Sequence, residues 1–442
     1  RIPGVRVRLL GSVPEFTEAT DAMIEVKVTE GNSRDWFGLG IAIKVNNWTV
    51  PFAQVFEALD RNQDRILLGN GTYFSLNRPE FSALRTLIEE ARTLNETGGE
   101  LRINRHQAGL FSELESLASS VETVASWDAQ VKSLLALVEA ADRAGETADS
   151  EEVLENEHSD SLSVSFGAFS ANHLPSPPGL TAVLRPYQLE GFRWLAFLRQ
   201  HRLGGILADD MGLGKTVQVL ALLAQAIVEH EQRVDHTDFA PFLVVAPTSV
   251  VGNWAQEAAR FVPDAKVVTI TESTSKSGKS IAELVQGAHL VLTSYALFRL
   301  DEDGYTEFGD HVPESAENGA SPRAGWGALI LDEAQFVKNT KTRAWRVARA
   351  LNAQVKLAIT GTPMENNLME LWALLAIVAD GLFPSARIFR DLYARPAESG
   401  EDPQIIEKLR RRVRPLMLRR TKDVVAADLP EKNDVRVNVP LT

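Results

Sequence analysis

The sequence predicts a parallel α/β domain built around a phosphate-binding loop and preceded by a smaller α+β module. Three observations carry that prediction. The stretch GGILADDMGLGKTVQ, residues 204–218, runs from an apolar strand through a glycine turn into an apolar helical segment. Beyond Leu180, six short apolar runs alternate regularly with helical patterns, which is the signature of strands joined by crossover helices. One of those runs, Leu329-Ile330-Leu331, ends in the carboxylate pair Asp332-Glu333.

The loop has the residue types that phosphate binding needs. Gly212 and Gly214 let backbone N–H groups approach phosphate oxygens, and the helix opening at Lys215 favours negative charge at its N-terminus. Lys215 can reach β and γ oxygens, and the Thr216 hydroxyl can hold Mg²⁺. The generic pattern asks for a further glycine five residues before Gly214, where this chain has Asp209.

Composition bounds the remaining possibilities. The chain has 442 residues, of which 44% are hydrophobic and 24% charged, enough for two or three domains. The longest apolar tract, around Leu371–Phe383, is broken by Asp380 and Gly381, so no membrane span is expected. The absence of cysteine excludes disulfides and thiolate metal sites and fits a cytoplasmic location. The eight histidines show no metal-ligand spacing. The net charge of −13 is uneven: residues 1–180 hold 15 basic and 27 acidic side chains, and the remainder is close to neutral. Only the later part is compatible with a nucleic-acid partner. The chain opens at Arg1 with no leader pattern and is expected to belong to something longer.

In chain order, residues 21–76 have strand character. Ile41–Val45 and Trp48–Val50 flank Asn46-Asn47, and Ile66–Leu68 and Thr72–Leu76 flank Gly69-Asn70-Gly71, which reads as two hairpins. Between them Phe52, Val55, Phe56 and Leu59 line one helix face. Further helices are expected after Pro79, over Ala108–Val124 and over Asp128–Ala141. No catalytic constellation occurs there, so residues 1–144 read as an accessory or docking domain with a protein partner. Residues 145–179, dense in carboxylates and closing on Ser176-Pro177-Pro178-Gly179, read as a linker that is either solvated or a mimic of nucleic acid. The α/β lobe is expected over 180–380, with strands at Gly205–Ala208, Phe242–Ala246, Lys266–Ile270, His289–Thr293, Ala328–Asp332 and Lys356–Thr360. In such layers the functional residues gather at the carboxyl ends of the strands. There Asp332 can hold Mg²⁺ through water, and Glu333 can orient or deprotonate an attacking water.

Seven segments in order carry a family resemblance: LRPYQLEGFRWL (184–195), DDMGLGKT (209–216), VVAPTSVVGNW (244–254), LTSYALF (292–298), LDEAQ (331–335), LAITGTPMENNLMELW (357–372) and MLRRTKDVV (417–425). Together they resemble the first RecA-like lobe of the SWI/SNF-type ATPases, duplex-DNA translocases of helicase superfamily two, of bacterial type. The resemblance covers about Leu180–Thr442. It implies a P-loop NTPase that uses ATP and Mg²⁺ and is associated with the nucleoid. Gln188, beside Tyr187, would read adenine, since an amide both donates and accepts. Lys215, Thr216, Asp332 and Glu333 would keep the roles given above, and Gln335 would link that site to the rest of the lobe. Thr248, Asn253 and Trp254, with Thr293, Ser294 and Tyr295, would face the backbone of double-stranded DNA, with little sequence preference. Trp254 and Tyr295 are equally readable as core aromatics. Gly361, Thr362 and Pro363, with Glu365 and Asn366, would couple nucleotide state to DNA grip.

The departures from the family pattern are local. Asp210 stands where the family usually has Glu, and residues 301–325, with seven carboxylates and four glycines, are expected to form a mobile surface loop. Residues 381–442 would form a helical protrusion and the start of the link to a second lobe. Its basic run, Lys408–Lys422, either contacts DNA or a second lobe or is simply solvated. The resemblance places the second lobe and its arginine fingers beyond Thr442, so the chain alone is expected to bind ATP weakly and turn it over poorly. The function implied is a DNA-stimulated ATPase that translocates on duplex DNA without separating strands. An RNA-dependent helicase, or a protein-docking module with a vestigial nucleotide site, are the alternatives.

Overall fold

The apolar runs at Phe242–Ala246, Leu290–Ser294 and Ala328–Asp332 are buried at every position. Continuous burial is expected of strands covered on both faces by crossover helices. In the computed structural model they form the centre of a seven-stranded parallel sheet. The model describes residues 16–422 and Val425, apart from 34–35, 47, 62, 69–70, 95–100, 129–130, 132–133, 135–173, 234–237, 311–324, 364–366 and 401–403. The described chain falls into two compact units, Arg1–Leu135 and Ala136–Thr442.

The first unit is α+β. Strand β1 is Thr17–Glu18, β2 Met23–Ser33, β3 Trp36–Val45 and β4 Trp48–Pro51; α1 is Phe52–Asp60, β5 Arg65–Leu67, β6 Thr72–Ser75, α2 Pro79–Leu94, β7 Arg102–Asn104, α3 Ala108–Leu117 and β8 Ser120–Glu122. One sheet has the order β4-β3-β2-β8 with β7 on β3, and the other has the order β1-β6-β5. Alternate residues of β3 are buried, so that Phe37, Leu39, Ile41, Ile43 and Val45 face the core. Trp127 closes that core edge-on against Phe37 and Phe111. Both expected hairpins form, with Ile43 opposite Val50 and Ile66 opposite Phe74. The helix expected to run to Val124 ends instead at Leu117. Ser119 N donates to the Ile24 carbonyl while its hydroxyl accepts from Ile24 N, and Ser120–Glu122 then pairs with Glu25–Lys27, so sheet pairing overrides helical periodicity. The helix expected over 128–141 and the linker expected over 145–179 lie largely outside the described residues.

The second unit holds α4 Pro186–Gln200, β9 Gly205–Leu207, α5 Lys215–Glu231, β10 Phe242–Ala246, α6 Thr248–Phe261, β11 Val267–Thr269 and β12 Leu290–Ser294. It continues through α7 Tyr295–Leu300, α8 Glu302–Asp310, β13 Ala328–Asp332, α9 Arg343–Ala350, β14 Lys356–Ile359, α10 Leu368–Val378, α11 Ile405–Val413 and β15 Met417–Leu418. The sheet order is β11-β12-β10-β13-β14-β9-β15, with every pair parallel. The strands that feed the phosphate loop (β9) and the carboxylate pair (β13) are therefore separated by β14 alone. Among the described residues no helix is long and apolar enough to cross a membrane.

One expectation for this unit is corrected. The segment 301–325 is not a loop throughout: Glu302–Asp310 is helical, anchored by the Tyr305 hydroxyl on Thr293 Oγ1 and by Trp326 Nε1 on the Tyr305 carbonyl. Within the last segment Met417–Leu418 returns to the sheet beside Ile206–Leu207, and Arg412 and Arg420 of the basic run are buried.

Candidate nucleotide site

The phosphate loop leaves β9 through two left-handed glycines, Gly212 (φ +87°) and Gly214 (φ +74°), and Gly214 caps the 17-residue α5. The left-handed dihedral favours glycine at 214, and a Cβ there would lie 2.4 Å from Gln188 Nε2 and displace that amide. Lys215 opens the helix, with its ammonium donating to the carbonyls of Asp209 (2.6 Å) and Asp210 (3.0 Å). Burial lowers the Lys215 pKa below the ordinary lysine value, and the carboxylates of Asp209, Glu333, Asp332 and Asp210 work against that shift. Lysine, loop and carboxylate pair thus lie within electrostatic reach of one another at one sheet edge.

Gln188 is the bridge between α4 and the loop. Its side-chain oxygen accepts from Arg185 N (3.0 Å) and its Nε2 donates to the Leu213 carbonyl (3.2 Å). Nε2 also donates to the Tyr187 hydroxyl (3.4 Å), so the side-chain oxygen keeps a free lone pair, and a base edge would be met there or by exchange of the long Tyr187 bond.

At the end of β13 the Asp332 carboxylate accepts from Trp254 Nε1 (2.8 Å) and from Glu333 N (2.9 Å). Burial raises its pKa above the ordinary carboxylate value, and the Trp254 bond opposes that rise. Glu333 has φ +48°, unusual for a residue with a side chain and worth about 1–3 kcal/mol of strain. Its carboxylate accepts from Gln335 Nε2 (2.9 Å). Gln335 Oε1 in turn accepts from Thr360 Oγ1 (3.3 Å), which accepts from Thr362 N (3.1 Å). Glu333 is thereby connected by hydrogen bonds to the segment after β14. In that segment Gly361 lies against the phosphate loop, its Cβ position 3.3 Å from Met211 Cγ. Asn366 and Glu365 lie outside the described residues.

A hydroxyl at Thr216 and a carboxylate at Asp332 are hard oxygen donors. The set fits Mg²⁺, which usually takes one or two protein oxygens and completes its shell with water and phosphate.

The residues expected to face DNA divide into two groups. Thr248 and Asn253 are exposed on the first turns of α6. Trp254, Thr293, Ser294 and Tyr295 are buried. Trp254 holds Asp332, and Thr293 accepts from Tyr305. Ser294 caps α7 by accepting from Leu297 N. The Tyr295 hydroxyl donates to the Asp332 carbonyl, its ring stacks on Phe336 at 5.4 Å, and burial raises its pKa well above the ordinary tyrosine value. Trp254 and Tyr295 thus sit as core aromatics whose polar atoms hold the end of the carboxylate strand, while the Thr293 and Ser294 hydroxyls serve α8 and α7.

Sequence reasoning missed Arg420. It forks onto Asp209, Nε to Oδ1 at 2.9 Å and a terminal nitrogen to Oδ2 at 2.5 Å, with 4% and 0% of the two side chains exposed. The available signal was Asp209 itself, a charge at a position where the loop pattern has glycine.

Comparison with known proteins identifies the family. A model described as the SNF2-related domain matches residues 187–442. YwqA of Bacillus subtilis, named as an ATP-dependent helicase/translocase, is 36% identical over 278 residues, covering 62% of this chain and 28% of that protein. The TATA-binding protein-associated factor BTAF1 of Arabidopsis thaliana is 35% identical over 266 residues, covering 57% of this chain and 12% of the other. The Sulfolobus solfataricus SWI2/SNF2 ATPase core in complex with dsDNA is 32% identical with a TM-score of 0.48, covering 58% of this chain and 48% of that one. The chain thus spans well under a third of the two curated relatives. With its model matching more than half of the residues, the SNF2-related domain family is the one to which this chain belongs.

Proposed function

We propose that the chain carries the ATP-binding lobe of a DNA-stimulated ATPase that moves along duplex DNA without separating its strands. The observation that supports this most is the convergence of Lys215 and Thr216 with Asp332 and Glu333 at one edge of a parallel sheet, close enough that Lys215 feels both carboxylates. The name of the Bacillus subtilis relative, a helicase/translocase, agrees with the reading.

In this reading the loop N–H groups and Lys215 hold the β and γ phosphates of ATP, and Gln188 meets the base. Thr216 and Asp332 would hold Mg²⁺, which neutralises charge on the phosphoryl oxygens when bound. Glu333 orients the attacking water and accepts its proton. Gln335, Thr360 and Thr362 then relay a change at Glu333 to the segment after β14. Thr248 and Asn253, exposed where α6 begins, supply polar groups for a phosphate backbone, where contacts position a protein without reading sequence. Residues 1–135 serve as an accessory module that docks a protein partner; their described part offers no group of His, Asp and Glu able to hold a metal.

The test is ATP hydrolysis by the full protein with no nucleic acid, single-stranded DNA, duplex DNA or duplex RNA, beside a Glu333→Gln control. Stimulation by duplex DNA, lost in the control and unaccompanied by strand displacement, is expected. Stimulation by RNA alone, or strand displacement, would refute it.

A further inference from the structure

We propose that Arg420 is a positioning residue for the nucleotide site, and that through it the segment following β15 and the phosphate loop are one mechanical unit. This rests on the nucleotide-site reading above. Arg420 uses four of its five N–H donors in hydrogen bonds: the fork on Asp209, a bond from a terminal nitrogen to Gln218 Oε1 (2.9 Å), and another from the second terminal nitrogen to the Tyr187 carbonyl, with Glu190 Oε2 3.6 Å from that same nitrogen. The Tyr187 ring lies 5.4 Å from the guanidinium carbon. Gln218, buried on α5, donates from the other end of its amide to Asp209 Oδ2 and the Gly214 carbonyl. The arginine thus ties the start of the loop, the helix that follows it and the residue beside Gln188 into one buried network. Such networks are rigid when every member is satisfied.

Three further contacts extend the unit along the backbone. Ala208 N donates to the Leu418 carbonyl (2.7 Å), Asp210 N to the Arg420 carbonyl (3.0 Å), and Lys422 N to the Asp210 carboxylate (3.0 Å). Val425 packs with Tyr187 and the loop residue Leu213. Residues 417–420 therefore continue the sheet ladder up the side of the loop, and Lys422 N extends the contact to the Asp210 side chain. Gly191 is part of the same construction. A Cβ there would sit 1.8 Å from Gln218 Oε1 and 2.7 Å from the Arg420 guanidinium, so only glycine leaves room for the network. Asp209 needs no glycine backbone: among the described residues, Asn46, Arg202 and Glu333 are the non-glycines with positive φ. Its side chain is present as the partner of Arg420.

Coupling of this kind is reciprocal. If the latch holds the loop in the shape that binds phosphate, bound nucleotide must hold residues 417–422 against the loop by the same factor. Lysine cannot make the planar fork, so charge alone does not replace the arginine.

The experiment measures binding of a fluorescent methylanthraniloyl-ADP to the full protein, with hydrogen exchange at the amides of Asp210 and Lys422. The variants are Arg420→Lys and the double Asp209→Leu/Arg420→Met, which removes both charges at similar volume, a change that commonly preserves folding. We expect both variants to melt cooperatively and to bind at least about tenfold more weakly, the loss that one charge-assisted bond represents. Nucleotide should slow exchange at Lys422 in the wild type and not in the variants, a readout that a purely structural arginine would not move. A cooperatively folded double variant that binds like wild type overturns the proposal, as does wild-type exchange at Lys422 that ignores nucleotide. If Arg420→Lys does not fold, the double variant decides. Wild-type protein that binds nucleotide and protects Lys422, yet is not stimulated by DNA, removes the motor reading and leaves the latch standing. Wild-type protein that binds no nucleotide removes both.

Discussion

Replacing Trp254 by Phe separates two roles that one aromatic residue on α6 can play. Trp254 is 1% exposed, and its indole nitrogen donates to Asp332 Oδ2 at 2.8 Å, while Oδ1 keeps the bond from Glu333 N. Phenylalanine keeps most of the apolar volume, deletes the donor and leaves a small void where the second ring was. A hydrogen bond to a charged group contributes about 1.5–3 kcal/mol, so the folded protein should lose about that much. If the same loss appears when Asp332 must be held for hydrolysis, ATP turnover without DNA falls about ten- to 150-fold. The indole does not reach the surface, so affinity for duplex DNA should stay within about twofold of wild type, since a buried side chain makes no phosphate contact. The assay is steady-state ATP hydrolysis by the full protein without DNA, paired with anisotropy of a labelled duplex. A variant that hydrolyses ATP at the wild-type basal rate but binds the duplex tenfold more weakly would refute the reasoning and restore Trp254 as a DNA contact.

Three other perturbations follow from the same geometry. Glu333→Gly should fold at least as well as wild type, and up to about 1–3 kcal/mol better in a denaturant titration before the entropy cost of glycine, because it relieves the left-handed backbone; ATP turnover should nonetheless vanish while nucleotide binding persists. Gly214→Ala should weaken nucleotide binding and destabilise the lobe by about 1–3 kcal/mol, read by the same titration, since the methyl meets Gln188 Nε2 on a backbone at φ +74°. Lys356, donating to the Ala348 and Arg349 carbonyls, has a pKa pushed by burial from 10.5 to about 8. The unfolded chain therefore holds the extra proton between about pH 8 and 10.5, so stability attributable to this residue rises with pH across that window, and the burial cost is fully present below it. Wild type minus Lys356→Met, measured by denaturation at pH 7.5 and 10.5, should climb by up to about 3 kcal/mol.

Much of the lobe was legible because its signals are local. Phe242–Ala246 and Ala328–Asp332 are unbroken apolar runs whose ends coincide with the observed strands, and the glycines, lysine and threonine of the loop are contiguous. What remained hidden is non-local. Nothing adjacent to Trp254 says that its N–H serves a carboxylate 78 residues further on, and nothing near Ser120 says that Glu25 will draw it out of a helix. The Glu302–Asp310 helix was masked by a polar, glycine-bearing composition, and its anchor, the Tyr305 hydroxyl on Thr293, is likewise a tertiary contact.

Asp209 is the instructive case. Judged against a phosphate-loop pattern it is a mismatch, and judged against the fold it is half of an ion pair whose other half lies 211 residues away. Burying two charges carries a desolvation cost that a glycine would have avoided, and their mutual attraction offsets that cost only when the fork and the remaining bonds are all in place. Here they are: Gln218, the Tyr187 carbonyl and the absent side chain at Gly191 complete the set. A loop that needed only to bind phosphate would gain nothing from that arrangement. It becomes intelligible when the loop must also respond to the segment that runs past it, because a buried, fully satisfied pair admits one geometry and transmits a displacement of either partner to the other.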